Sequence, residues 1–160
     1  MNCNWNRLFP KPPSGGWYKA DNWFSRIDDL VRSLLVCRYI DGPEKVCREA
    51  QKVAEDCGLD AAYIPRATNQ GYYAYHARVV VPVDLFGAHG PATTSMQIEI
   101  QVTTQLQEIL RDLTHTYYRS RRISPGLIQA ADNWDYTSIN FRGSYLGHTL
   151  HLIEGMIAEL

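Results

Sequence analysis

The sequence predicts an α+β fold of α/β-like character, with helices packed around a mixed β-sheet. Three observations carry that expectation. "MQIEIQV" alternates strictly, with Ile98, Ile100 and Val102 on one face and Gln97, Glu99 and Gln101 on the other. "YYAYHARVVV" is rich in aromatic and β-branched residues, which suit a strand. "PEKVCREAQKVAEDCG" begins with proline and ends at Gly58, the asymmetry of a helix. A chain of 160 residues fits one domain, so 1–160 reads as a single unit.

The elements follow in order. "KPPSGG" (Lys11 to Gly16) is a loop, because two prolines and two glycines deny both helix and strand. "DNWFSRIDDLVRS" reads as a helix capped by Asp21 or Asn22. "LLVCRYI" (Leu34 to Ile40) is an apolar run of strand length, stopped by "DGP". In the next helix Val46, Ala50, Val53 and Ala54 form one stripe that faces the sheet. After the second strand, "VDLFGAHGPATTS" reads as a long polar turn. The strand "MQIEIQV" leads to the helix "TQLQEILRDLTHTYYRSRR", with Leu106, Ile109, Leu110, Leu113 and Tyr117 inward. The loop "SPGLIQAADNWDYTS" precedes a last helix, "SYLGHTLHLIEGMIAEL". Within it His148, His151 and Glu154 stand at successive i+3 steps, which drift around the helix, so packing contacts explain them better than a metal site.

Composition narrows the function classes. Hydrophobic residues make up 45% and charged residues 21%, the balance of an ordinary globular protein. No apolar run approaches the ~18 residues of a membrane span, and the N-terminus lacks a signal-peptide core. Four cysteines without a CxxC pair read as reduced thiols of a cytoplasmic protein. A net charge of −1 offers no global field for nucleic acid. The local cluster Arg119, Arg121 and Arg122 reads first as a solvated helix end.

Parity locates the candidate site. On the strand that opens with "GYYAYHA", Tyr73, Tyr75, Ala77, Val79 and Val81 share an apolar face, and Tyr72, Ala74, His76 and Arg78 share the other. Pairing with "IEIQV" would put Tyr72, His76, Glu99 and Gln101 together on one polar, aromatic face. Such a face can hold a flat base beside a charged group. Gly71 reads as a flexible joint where backbone can approach a ligand.

"GYYAYHA" followed by "IEIQVTT" resembles the synthetase domain of RelA/SpoT-type alarmone synthetases, whose pattern is G-Y-x-x-x-H on one strand and E-I-Q-I-R-T on another. Tyr63-Ile64 stands eight residues ahead of Gly71, as a Tyr-Ile pair often does in that family. "DLVRSLLVCRYIDGPEKV" looks like the family's first strand region and aligns Asp29 with its acidic metal ligand. "KPPSGGWYK" is similar to its donor-nucleotide segment and places Lys11, Ser14 and Lys19 there. "LRDLTHTYYR" resembles its L-E-H helix motif and places His115. The resemblance spans roughly Lys11 to Arg122.

The resemblance implies a nucleotidyltransferase-like fold with a sheet of about five strands, a donor-side loop region over 1–20 and a C-terminal loop and helix over 123–160. It implies a cytoplasmic pyrophosphokinase that moves the β,γ-pyrophosphate of ATP to a ribose 3′-hydroxyl of a guanine nucleotide. Asp29 and Glu99 are then the Mg²⁺ ligands and the catalytic carboxylates. Lys11, Ser14, Lys19 and Arg32 bind the donor. Tyr72, His76, Gln101 and Arg66 bind the acceptor, with Tyr72 stacking on its base for ~1–3 kcal/mol.

The sequence departs from the family at basic and acidic positions. Leu34 stands five residues after Asp29, where the family is basic, and Thr68 replaces a lysine three residues ahead of Gly71. Thr103 replaces the Arg of E-I-Q-I-R-T, and Thr114 the Glu of the helix motif. Arg32 and Arg66 lie close enough to compensate in part. The losses admit a toxin-type relative that acts on the tRNA 3′ end, where an arginine cluster suits an RNA backbone and an antitoxin is an expected partner. They also admit a catalytically degenerate module that binds a nucleotide, a protein or a second copy of itself as a homo-oligomer.

Overall fold

The computed structural model describes residues 30–87, 90–122 and 135–160, with Gly16 and Ile27, and gives only the backbone for residues 115–122. Four strands and three helices lie in this part. They are β1 (Val31–Cys37), α1 (Gly42–Asp56), β2 (Asp60–Ala67), β3 (Tyr73–Gly87), β4 (Gly90–Thr104), α2 (Gln105–Arg122) and α3 (Ile139–Ala158). The sheet order is β1-β4-β3-β2. β1 runs parallel to β4, and β3 runs antiparallel to both of its neighbours. The mixed sheet flanked by helices is the architecture that the sequence predicts, with four described strands in place of about five.

α1 packs on one face. Cys47, Ala77 and Val102 form the buried centre, and Cys37, Val46, Tyr63, Tyr75 and Ile100 close around it. The helix stops where expected, at Gly58 (φ +74°), where Gly58 N–H donates to Glu55 O and Leu59 N–H to Ala54 O. That pair of bonds is the Schellman arrangement, which needs a left-handed residue. Of the expected stripe Ala54 is buried and Val46 packs against the core, whereas Val53 is 61% exposed; Pro43 and Cys47 complete the buried face.

Three local expectations are corrected and one strand is added. Val31 to Ser33 belong to β1 and not to a helix, because they pair in parallel with Ile98 to Ile100. Residues 21–26, 28 and 29 of the expected helix lie outside the described residues. Asp60–Ala67, which shows no clean alternation, is the edge strand β2. Residues 83–87 and 90–95 are not a turn; they extend β3 and β4 to the Gly87–Gly90 pair. Their Val and Thr residues favour extended backbone, and Thr93 Oγ1 donates to Asp84 Oδ1 across the ladder at 2.6 Å. On α2 the inward residues are Gln107 and Leu110, whereas Ile109 and Leu113 are exposed. The side chain of Tyr117 lies outside the described part.

α3 starts at Ser138, whose side chain accepts from Phe141 N–H. Its amphipathicity is inverted. Its buried residues are Gly143, Gly147 and Glu154, while Tyr145, Leu146, Leu152, Ile153, Met156 and Ile157 are exposed. No helix among the described residues is long and apolar enough to cross a membrane.

Candidate functional site

The sheet face opposite α1 carries the candidate site. Register sets its rungs. Arg32 of β1, Glu99 of β4 and Arg78 of β3 stand side by side. The next rung holds Leu34, Gln101, His76 and Ile64. Above it Thr103 lies beside Val36, and Ala74 beside Arg66. Paired residues point to one face, so the parity expected from the sequence brings His76, Glu99 and Gln101 together as predicted. Tyr72 precedes β3 and joins them through its hydroxyl.

Glu99 is the hub. It is 5% exposed. His76 Nδ1 lies 2.8 Å from Oε1, and Arg32 Nε and Gln101 Nε2 each donate to Oε2 at 2.9 Å. Burial alone would raise this carboxyl. The hydrogen bonds from Gln101, His76 and Arg32 outweigh it and hold the group below the usual carboxylate range. An ionised carboxylate only accepts, so Nδ1 carries the proton. In the neutral ring Nε2 is then the acceptor for the Tyr72 hydroxyl, 3.2 Å away. Burial, the largest influence, pushes the Tyr72 phenol up and keeps it a donor. The Tyr72 ring meets His76 edge-on, with centroids 6.2 Å apart at 83°, so one ring face is not used by the imidazole.

Arg66 is exposed and stands apart from this hydrogen-bonded group. It lines a cavity of about 390 Å³ at the end of the sheet, with Ala74, Thr103, Gln107 and His151 among its neighbours. Lys11, Ser14, Lys19 and Asp29 lie outside the described residues, as does the side chain of His115. Arg78 was not singled out from the sequence, although its parity with His76 is the signal that finds it.

The neutral substitutions have structural work. The Thr103 hydroxyl, in a side chain 1% exposed as a residue, donates to Tyr73 O at 2.8 Å. The Thr68 hydroxyl accepts from Tyr72 N–H at 3.2 Å. Leu34 sits beside Gln101 on the working face. Gly71 (φ +79°) does not open the backbone to a ligand. A Cβ there would lie 2.5 Å from Ser144 O, so the close approach is to α3. His148 and His151 make packing contacts with Tyr73, as expected of them.

The described residues do not make a cation site around Glu99. Its neighbours are a guanidinium, an amide and an imidazole, which suit a carboxylate and not Mg²⁺. No cluster of three or more His, Cys, Asp or Glu that could hold a metal occurs among the described residues. The other expected ligand, Asp29, lies outside them.

No protein-family model and no curated protein matches the sequence. Solved structures do match the fold. A GTP pyrophosphokinase family protein from Streptococcus pneumoniae superposes with a TM-score of 0.60 at 16% identity, over 88% of this chain and 63% of that one. The small alarmone synthetase 2 from Bacillus subtilis gives 0.60 at 14% identity, over 96% and 72%. The small alarmone synthetase 1 from the same organism gives 0.56 at 16%, over 96% and 69%. The chain thus spans about 63% of the length of the pneumococcal protein. These superpositions show that the chain has the fold of the small alarmone synthetases.

Proposed function

We propose that the chain is a RelA/SpoT-like pyrophosphokinase that uses ATP as donor and a guanine nucleotide as acceptor. The observation that carries this reading is the linked set Tyr72, His76, Glu99, Gln101 and Arg32 on one sheet face. In the reaction the acceptor 3′-oxygen bonds to the β-phosphorus of ATP. The bond from the β-phosphorus to the oxygen of the α-phosphate breaks, and AMP leaves with the electron pair. Glu99 is the group that orients the 3′-hydroxyl and takes its proton: Oε1 receives one hydrogen bond from His76 and retains lone-pair capacity. Arg32 and Arg78 flank it in register and supply positive charge beside the transferring group. Tyr72 offers its ring to the acceptor base.

A second reading has the 3′ end of tRNA as acceptor, with an antitoxin as a partner that controls it. The neutral residue Leu34, beside Gln101 on the working face, favours it, because a nucleoside terminus brings no 5′-polyphosphate to neutralise. Purified protein with ATP labelled in the β-phosphate, Mg²⁺ and GDP, GTP or tRNA separates the two. Label on GDP or GTP supports the first reading, and label on tRNA alone supports the second. Glu99→Gln is expected to lower transfer by about 10²–10³-fold, the scale of a lost group at a developing charge. Label on no acceptor, with Glu99→Gln indistinguishable from wild type, sinks both.

A further inference from the structure

The turn between β2 and β3 is bound to α3 through two glycines. A Cβ on Gly147 would lie 2.3 Å from Gly71 O, and one on Gly71 would lie 3.0 Å from Gly147 Cα. Gly155, on the same helix, has open space around it. Glycine inside a helix costs about 1 kcal/mol relative to alanine, so at residue 147 helix stability is exchanged for closeness.

Polar contacts complete the joint. Ser144 Oγ donates to Asn69 O at 2.8 Å. His148 Nε2 lies 3.4 Å from the same carbonyl, and its Nδ1 lies 2.6 Å from Tyr73 Oη. A carbonyl only accepts, so Nε2 carries the proton and Nδ1 receives the Tyr73 hydroxyl. The His151 ring stacks on Tyr73, with centroids 3.7 Å apart and planes 5° apart. Buried Gln107 holds Gly147 O from α2 at 3.2 Å.

Inside the turn, Thr68 fixes Tyr72. Thr68 N–H donates to Tyr72 O at 3.0 Å, Tyr72 N–H to the Thr68 hydroxyl at 3.2 Å, and Gly71 N–H to Thr68 O at 3.0 Å. A continuous set of short contacts therefore runs from α3 through the turn to Tyr72, and from Tyr72 through His76 to Glu99. The buried residues of α3 are small or polar, so its seat on the turn is set by specific contacts and not by an apolar core.

We propose that α3 is the positioning element of the acceptor platform, and that Gly147 and His148 are its positioning residues. They act through the 68–71 turn on Tyr72 and touch no substrate themselves. The role assigned to Tyr72 rests on the pyrophosphokinase reading; the mechanical coupling of α3 to the turn does not.

Gly147→Ala in the full chain tests both parts. The substitution favours the helix itself and forces the turn away from it. Amide exchange over residues 68–76 is expected to rise about tenfold while residues 98–102 of β4 keep wild-type rates. KM for the guanine acceptor is expected to rise about tenfold, with KM for ATP within about twofold of wild type. Tyr73→Phe, which removes the 2.6 Å bond to His148 and adds no atom, is expected to move both readouts the same way by less, and it decides the matter if Gly147→Ala does not fold. Unchanged exchange over 68–76 overturns the coupling. Faster exchange with an unchanged acceptor KM overturns the positioning role. A wild type that transfers nothing overturns the enzyme reading, and the exchange arm still decides the coupling.

Discussion

Thr103 shows how one residue departs from a family pattern without leaving a gap. Its hydroxyl satisfies the Tyr73 carbonyl in a place with almost no solvent access. An arginine there would bring a charge into a buried rung and remove that bond. Thr103→Arg, which restores the family residue, is therefore expected to destabilise the fold by about 3–5 kcal/mol in urea unfolding rather than to improve acceptor binding. A variant of wild-type stability with tighter GDP binding would show that the position faces the acceptor. Cys47 makes the opposite point. It is completely buried, and burial, the first cause, pushes its thiol up to about 11, which marks a packing residue and not a nucleophile.

At the scale of the element, α3 carries two titratable groups with opposite pH behaviour. Burial, reinforced by His148 on the same helix, lowers His151. Its folded value lies below the ordinary ~6.5, so the stability of its neutral, stacked form is full above ~6.5 and is lost as pH falls toward the folded value. Burial raises Glu154, against a hydrogen bond with Thr104 that lowers it. Its contribution is full below ~4.3 and is lost as pH rises through the folded value. The groups that face them are Tyr73, His148 and Thr104. With Glu154 replaced by glutamine, which removes the opposing titration, thermal melting is expected to show a falling Tm as pH drops from about 7.5 to about 5.5. His151→Phe in the same background, which keeps the stack on Tyr73, is expected to lessen that fall. Glu154→Gln is expected to raise Tm at neutral pH, because an amide has no charge to bury. A His151→Phe profile parallel to that of Glu154→Gln alone would remove His151 from the account.

Over the whole molecule, stability is concentrated where four strands meet α1. β2 pairs with β3 only as far as Val80, and β1 pairs with β4 from Ile98 onward. Beyond these limits β3 and β4 continue as a two-stranded ribbon to the Gly87–Gly90 pair, with Phe86 86% exposed. A two-stranded ribbon without a packed face is marginal in water. Amides of residues 83–87 and 92–95 are expected to exchange at least about tenfold faster than those of residues 98–102. Equal protection in both regions would mean that the ribbon is covered in solution. The working face lies in the four-stranded part, so the ribbon is not needed to hold Glu99 or His76 in place.

What the sequence by itself determined was whatever depends on neighbours along the chain. Strand parity is a local property of period two, so Tyr72 with His76 and Glu99 with Gln101 could be read as face-sharing pairs. The Pro43 start and Gly58 end of α1 are likewise set by backbone conformation at single residues. Only the tertiary structure decided the rest. The rung Arg32–Glu99–Arg78 comes from register between strands far apart in sequence, which local pattern does not encode. The stretch 83–95 carries turn-like composition, yet cross-strand pairing makes residues 83–87 and 90–95 strand. Gly71 announces a close approach in the sequence, but its partner is Gly147, 76 residues further on, and a contact of that range is set by how α3 docks.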